Sequence, residues 1–382
     1  MMVGIMTNNF KRYVFLITLL VAGCGGSSGP SPSTAPTPTP IIVPNLIEIP
    51  VSNLMVEFGN FDPSPTVDGA GGVWMSYSHI SLDSSGIKLI ETRLASSVDN
   101  GSNWSDAGLS INPSTAFVVS PSITGAITHE TSRLVYNPFA MAVGADPWIV
   151  LWHRYITSFN GVDSFRLFDQ GWIGMKSGSS AMTLGAEVKL FTGSIYDATT
   201  NDLLTGSPLY TLNTLDPELN ECVVFTEPGL LPKANGIYVA MLCATATLPG
   251  KIVLLRCGHD MNNCAYKGVL IDGSEASNLE MANDNFSAPE LVTVNGDDYL
   301  IVTPSAASIY RGCAIYKITD LEAATIERVA AIAKATGFIK ANGDFNGACG
   351  YVEGLTGSGV IMSEAFFTST PTFRLFTTGY NF

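Results

Sequence analysis

The chain is poor in charge, poor in histidine and without a paired-cysteine motif. Only 14% of its 382 residues are charged, its four histidines lie apart at 79, 129, 153 and 259, and none of its seven cysteines forms a C-x-x-C pair. That spacing speaks against a zinc centre, and neither a metal nor a cofactor is expected. Lysine and arginine number 19 against 33 acidic residues, a formal charge of −14 with no basic run. A nucleic-acid partner needs clustered cations and is excluded on that ground. The acidity is diffuse and by itself selects no partner. A membrane-spanning segment is also missing at the N-terminus: the apolar run YVFLITLLVAG, Tyr13 to Gly23, has 11 residues, where a spanning helix needs about 20. What is present is 37 glycines and a composition 46% apolar, with abundant Ser and Thr, which suits an extracytoplasmic all-β protein.

Lys11 and Arg12 precede the short apolar run, the arrangement of a signal peptide. The run ends in VAGC, Val21 to Cys24, which resembles the lipobox of bacterial lipoproteins. The resemblance implies cleavage before Cys24 and lipidation of that residue. Gly25 follows where inner-membrane retention favours Asp, so it implies an outer-membrane or cell-surface address, with the membrane touched only through the N-terminal lipid. The stretch GGSSGPSPSTAPTPTP (Gly25 to Pro40) cannot bury a core and reads as an extended tether. The expected organisation is a signal peptide over 1–23, lipidated Cys24 and tether over 24–44, and a monomeric β domain over 45–382. Six cysteines remain in an oxidising compartment, so up to three disulfides are expected.

A unit recurs from residue 60 onward. FDPSPTVDGAGGVWMSYS, YNPFAMAVGADPWIVLWH, TEPGLLPKANGIYVAMLC, SAPELVTVNGDDYLIVTP and GACGYVEGLTGSGVIMSE start at 61, 136, 226, 287 and 347. Each reads as a strand, a tight turn and a second strand, with a third often following. Three to four strands in about 60 residues make one propeller blade. The expectation is a five-bladed β-propeller, closed by IEIPVSNLMVEF (Ile47 to Phe58) completing the last blade, because an open ring would leave strand edges unpaired.

SVDNGSNW, Ser97 to Trp104, falls at the turn toward the outermost strand of blade 1. It resembles the Asp-box of sialidases and related propellers, a fold signature on the face away from the site. Blade 3 carries RCGHDMNNCAY there, and Cys257 and Cys264 flank the turn as Ser97 and Trp104 do. A disulfide between them is expected. A metal loop through Cys257, His259, Asp260 and Cys264 is the other reading.

The starts of the inner strands converge on one mouth and carry Asp62, Asn137, Glu227, Ala288 and Ala348. The Asp-Pro and Glu-Pro starts followed by a Gly turn and an apolar run resemble the five-bladed glycosidases of the arabinanase, xylosidase and invertase type. The resemblance implies Asp62 as base or nucleophile and Glu227 as acid, flanking a glycosidic bond. Asn137 stands where those families place a third carboxylate. Glu221 is a further candidate acid by its Glu-Cys pair, though no Pro follows. Asn137, His79, Trp152, His153 and Arg154 are candidate ligand contacts near the mouth, Trp152 as a sugar platform. Two long connections, Ala107 to Ser132 and Ser194 to Asn220, should overhang the same mouth. The functional expectation is a surface-anchored, glycosidase-like propeller. The other class is a non-catalytic propeller that binds a glycan or a protein there.

Overall fold

The computed structural model describes residues 41–42, 46–52, 58–120, 123–159, 164–196, 207–246, 249–279, 284–306, 309–340, 345–355, 359–366, 372–380 and 382. Residues 1–40, Cys24 included, lie outside the described residues, whereas Ile41–Ile42 of the expected tether pairs parallel with Ile339–Lys340. The rest is nearly all β.

Five antiparallel meanders follow one another along the chain. The first is Gly59–Val67, Val73–Leu82, Lys88–Ser97 and Trp104–Asn112. The second is Ile123–Tyr136, Trp148–Phe159, Ser164–Ser180 and Val188–Thr192. The third is Cys222–Lys233, Gly236–Thr245, Lys251–Cys257 and Ala265–Asp272. The fourth is Asn285–Val294, Asp297–Ala306, Cys313–Asp320 and Ala335–Lys340. The fifth is Phe345–Gly350, Ile361–Phe366 and Thr372–Thr377. The first strands pack side by side in chain order, and the fifth packs against the first.

The apolar core follows that cycle. Because the second strands are apolar on both faces, each meander buries one face against its predecessor and one against its successor. Leu94, Leu134 and Trp148 lie between meanders one and two, Leu151, Phe225 and Val239 between two and three, and Leu254, Phe286 and Leu300 between three and four. Val292, Ile315 and Met362 lie between four and five, and Met75, Tyr77 and Ile361 between five and one.

Among the described residues of the expected closing strand, Ile47–Glu48 pairs with the last strand, Ile47 opposite Thr377, and Ile49 and Phe58 add backbone bonds to Leu375 and Phe373. Val51–Ser52 turns away and runs parallel to Trp104–Asn112. The first of the two long connections is not a loop. Ala116–Ser120 forms a hairpin with the start of the 14-residue strand Ile123–Tyr136. Three disulfides close within the third meander (Cys222–Cys243), across its last turn (Cys257–Cys264), and from the fourth meander to the fifth (Cys313–Cys349).

The two turns compared in the sequence are equally long, Ser97 to Trp104 and Cys257 to Cys264, but the carboxylate stands one position later in the second. Ser97 Oγ accepts the Gly101 N–H at 2.8 Å, Asp99 Oδ1 accepts the Asn103 N–H at 2.8 Å, and buried Trp104 donates from Nε1 to the Gly101 carbonyl at 3.0 Å. In the third meander Asp260 Oδ1 accepts the Asn262 N–H at 3.0 Å and the disulfide stands where Ser97 and Trp104 stand. With both cysteines bonded to each other, the metal-loop reading fails.

Candidate functional site

The first strands share a bulge, where the register slips between Phe61 and Ser64, Thr226 and Gly229, Ser287 and Glu290, and Gly347 and Gly350; the third has a second slip between Cys222 and Val224. The slip opposite the second first strand falls between Leu151 and His153. One residue at each bulge is left-handed: Asp62 (φ 54°), Thr131 (52°), Glu227 (56°), Ala288 (45°) and Ala348 (50°). Bulges commonly re-aim side chains in this way. Since two of the five are alanines, the strained backbone belongs to the fold, and the carboxylates at Asp62 and Glu227 are additions to it.

This places the second inner position at Thr131, not at Asn137. Asn137 follows the end of its strand, where its Oδ1 accepts the Phe139 N–H at 3.1 Å. Asp68 does the same after the first strand of meander one, accepting the Ala70 and Gly72 amides at 2.9 and 2.7 Å. Asn137 is a turn cap at the opposite end from Asp62. The Asn-Pro dipeptide imitates the Asp-Pro and Glu-Pro bulges, whereas the true bulge, Thr131-Ser132, has no proline.

A hydroxyl on the second strand of one meander captures the bulge amide of the next. Ser78 Oγ accepts the Thr131 N–H at 3.1 Å, Thr303 Oγ1 that of Ala348 at 2.7 Å, and Ser363 Oγ that of Asp62 at 2.9 Å. The third meander has Leu242 at this place, opposite Thr226. There Glu227 Oε2 accepts the Ala288 N–H at 2.9 Å instead.

Asp62 is 3% exposed. Its Oδ2 accepts from Thr131 N at 2.9 Å, Thr131 Oγ1 at 3.0 Å and Ser78 Oγ at 3.2 Å, while Oδ1 takes none of these bonds. Burial pushes its pKa up to about 6, the nearby Arg133 charge opposes that, and the Glu227 charge adds to it. The Glu227 charge of meander three therefore reaches Asp62 of meander one. Glu227 is half-buried and receives Tyr310 Oη on Oε1 at 2.5 Å. Tyr310 belongs to a two-residue strand, Ile309–Tyr310, folded back on the end of Asp297–Ala306. Burial, then the charges of Glu227, Asp62 and Glu130, hold its phenol far above the usual range.

Two residues past the bulges stand Ser64, Arg133, Gly229, Glu290 and Gly350. Gly229 and Gly350 mark close approaches, since a Cβ on either would strike the neighbouring strand's backbone at 2.7 and 2.2 Å. Arg133 and Glu290 fill that level as a buried ion pair, Nε to Oε2 2.6 Å. Burial outweighs the Arg133 charge and pushes Glu290 up to about 7.

The structure moves the other candidates away from an open surface. Trp152 is fully buried with its ring over Gly174, where a Cβ would meet it at 2.5 Å, so it is core and not a sugar platform. His153 lies beside the Tyr155 ring, centroids 4.9 Å apart, and Arg154 stacks on Trp172 at 3.8 Å, both buried. His79 is buried with Nδ1 2.8 Å from Asn60 Oδ1. Glu221 ends a short 3-10 helix, Pro217–Glu221, and is ion-paired with Lys251 near the surface. Six residues of extended chain, roughly 20 Å, separate it from Glu227. Tyr310, Thr131 and Glu290 are residues around the candidate site that the sequence did not reveal. The signal for Thr131 and Arg133 was present in register: ETSRL aligns with FDPSP once the Pro is ignored.

No family model matches the sequence, and no curated protein does. The solved structures similar in overall chain path include glycoside hydrolases. A thermostable family-43 glycoside hydrolase matches at TM-score 0.48 and 10% identity, over 86% of this chain and 91% of the other. The endo-arabinase of Bacteroides thetaiotaomicron matches at 0.46 and 14%, over 86% and 96%. An α-L-arabinofuranosidase from Lactobacillus brevis matches at 0.44 and 11%, over 85% and 92%.

Proposed function

We propose that the chain is a five-bladed β-propeller, held at the bacterial cell surface or outer membrane by a lipid on Cys24, that hydrolyses or processes glycans at its mouth. The observation carrying this reading is the pair Asp62 and Glu227, placed by equivalent bulges of the first and third inner strands and electrostatically coupled. Asp62 serves as base or nucleophile, and Glu227 as the acid that protonates the leaving oxygen. Hydrolysis of a glycosidic bond needs two carboxyl groups on opposite sides of it, one to attack or activate water and one to donate a proton. Asp62 ionises above about pH 6, with Oδ1 the oxygen left for water or the anomeric carbon. Tyr310 and the Ala288 amide fix the orientation of Glu227.

A second reading has an observation of its own. Both carboxylates also accept the next meander's bulge amide, which a purely structural acid would do. In that case the mouth binds a glycan or a protein without turning it over. A screen of glycans and aryl glycosides separates the two. The catalytic reading expects at least one substrate, with turnover reduced by about 10³-fold or more in Asp62→Asn. Equal rates for both proteins remove it.

A further inference from the structure

Arg311 stands beside the mouth with its charge unmatched. It is half-buried, and among the described residues its guanidinium makes no ion pair, hydrogen bond or ring stack. The other arginines whose side chains are described all have a match. Arg93, Arg133, Arg256, Arg328 and Arg374 each reach a carboxylate at 2.6–3.3 Å, and Arg154 lies over the Trp172 ring. A shortage of acids is not the reason, since the chain has 33 of them against 19 lysines and arginines.

The backbone at Arg311 is held from two sides. Its N–H donates to the Pro304 carbonyl of meander four at 2.9 Å, the Gly312 N–H donates to the Asn346 carbonyl of meander five at 2.6 Å, and Arg311 bridges in parallel to Asn346. Asn346 comes two residues before the bulge at Ala348, so Arg311 is fixed on the entry side of the ring of bulges. Tyr310, the residue before it, places its hydroxyl on Glu227. Successive side chains of an extended segment take opposite sides, so the guanidinium is turned off Glu227. The segment thus carries a positioning hydroxyl for the candidate acid on one side and an unmatched cation on the other.

We propose that Arg311 anchors an oxyanion of the ligand, a uronate carboxylate or a sulfate ester, on a sugar unit next to the one presented to Asp62 and Glu227. The inference rests on the glycan reading and narrows it to acidic glycans. A guanidinium offers two parallel donors to either oxyanion, and here no internal pair has to break first. The surroundings dictate where that charge goes. Glu227, Asp62 and Glu130 all act on the Tyr310 phenol, and Arg133, the cation near Asp62, is buried and already paired with Glu290. An acidic group between the two carboxylates would meet charge of its own sign, whereas at Arg311 it meets the opposite sign. The ligand's register follows: the acidic unit lies at Arg311 and an uncharged unit lies at the carboxylate pair.

The test is an array of neutral, uronate-bearing and sulfated glycans probed with Asp62→Asn, which stops turnover. Acidic glycans are the expected ligands, with affinity falling as salt is added. The uronate and sulfate arms show which oxyanion is taken. Arg311→Ala should weaken acidic ligands about tenfold at an unchanged melting temperature, because its guanidinium has no internal bond to lose. Arg311→Lys, which keeps the charge without the fork, should recover part of that loss. Binding of neutral glycans alone, no binding, or acidic-glycan binding undiminished in Arg311→Ala would each overturn the assignment. Arg311-dependent binding of acidic glycans without turnover by the wild-type protein would leave the anchor standing and remove the catalytic reading. Turnover of neutral glycans with no affinity for acidic ones would do the reverse.

Discussion

The two sides of the mouth are built on the same backbone and filled with opposite chemistry. On the side of meander two, the left-handed bulge residue Thr131 turns its amide and hydroxyl onto Asp62, and the buried pair Arg133–Glu290 lies just beneath. On the side of meanders four and five, the same bulge positions hold Ala288 and Ala348, whose side chains carry no polar group, and the rings on that side are Tyr310, Phe345 and Phe373. Identical strain with such different side chains shows that the ring of bulges is a scaffold. Chemistry is placed on it locally, and absence of chemistry at two positions is as informative as presence at two others.

Substitutions confined to one side at a time separate the two chemistries. The largest effect on stability is expected from Arg133→Ala, which leaves Glu290 buried without its cation. Breaking one partner of a buried pair costs about 3–5 kcal/mol, read from denaturant unfolding. Phe345→Leu on the aromatic side should stay well below that.

Proton linkage comes next. The Asp62 pKa is raised from 3.8 to about 6 by burial, so the folded protein holds this proton more tightly than the unfolded chain does. The associated stability is therefore present in full below about pH 4 and is lost as pH rises toward 6, a change of order 3 kcal/mol. Glu290, raised from 4.5 to about 7, acts in the same direction over a slightly higher window. Unfolding free energies measured between pH 4 and 7.5 should fall with pH, and Asp62→Asn should flatten the lower part of the curve. An unchanged slope would mean that Asp62 is better solvated than its burial indicates.

The smallest effects concern the amide-capturing hydroxyls. Ser363→Ala leaves the Asp62 amide without its acceptor, at a cost of about 1–3 kcal/mol. Glu227→Gln retains a carbonyl oxygen for the Ala288 amide and should cost less than 1 kcal/mol while abolishing the proton-donor role.

The contrast between the sides also explains what could be read from the sequence. The all-β class and the recurring unit were legible because second strands such as WIVLWH and IYVAMLC are apolar throughout and are bounded by Gly-rich turns. The pairing of Cys257 with Cys264 was legible from its match to the turn at Ser97 and Trp104. The phase of meander two was not. Its first strand is 14 residues long, its bulge has no proline, and Asn137-Pro138 offers a false copy of the motif after the strand ends. Trp152, His153 and Arg154 misled for a related reason: a strand end is open or covered according to its neighbours, here Gly174 and Trp172 from the next strand besides the adjacent Tyr155. Tyr310 was invisible because it reaches Glu227 from 83 residues away, and no local pattern marks such a contact.

The central claim is that Asp62 is an ionisable group working on a glycan and not merely a stitch between meanders. Its most direct test is the pH dependence of kcat/KM on a substrate found by the screen. The account predicts activity rising through an apparent pKa near 6 and lost in Asp62→Asn at every pH. Asp62→Asn turning over at the wild-type rate, or a profile without an ionisation between pH 5 and 7, would contradict it.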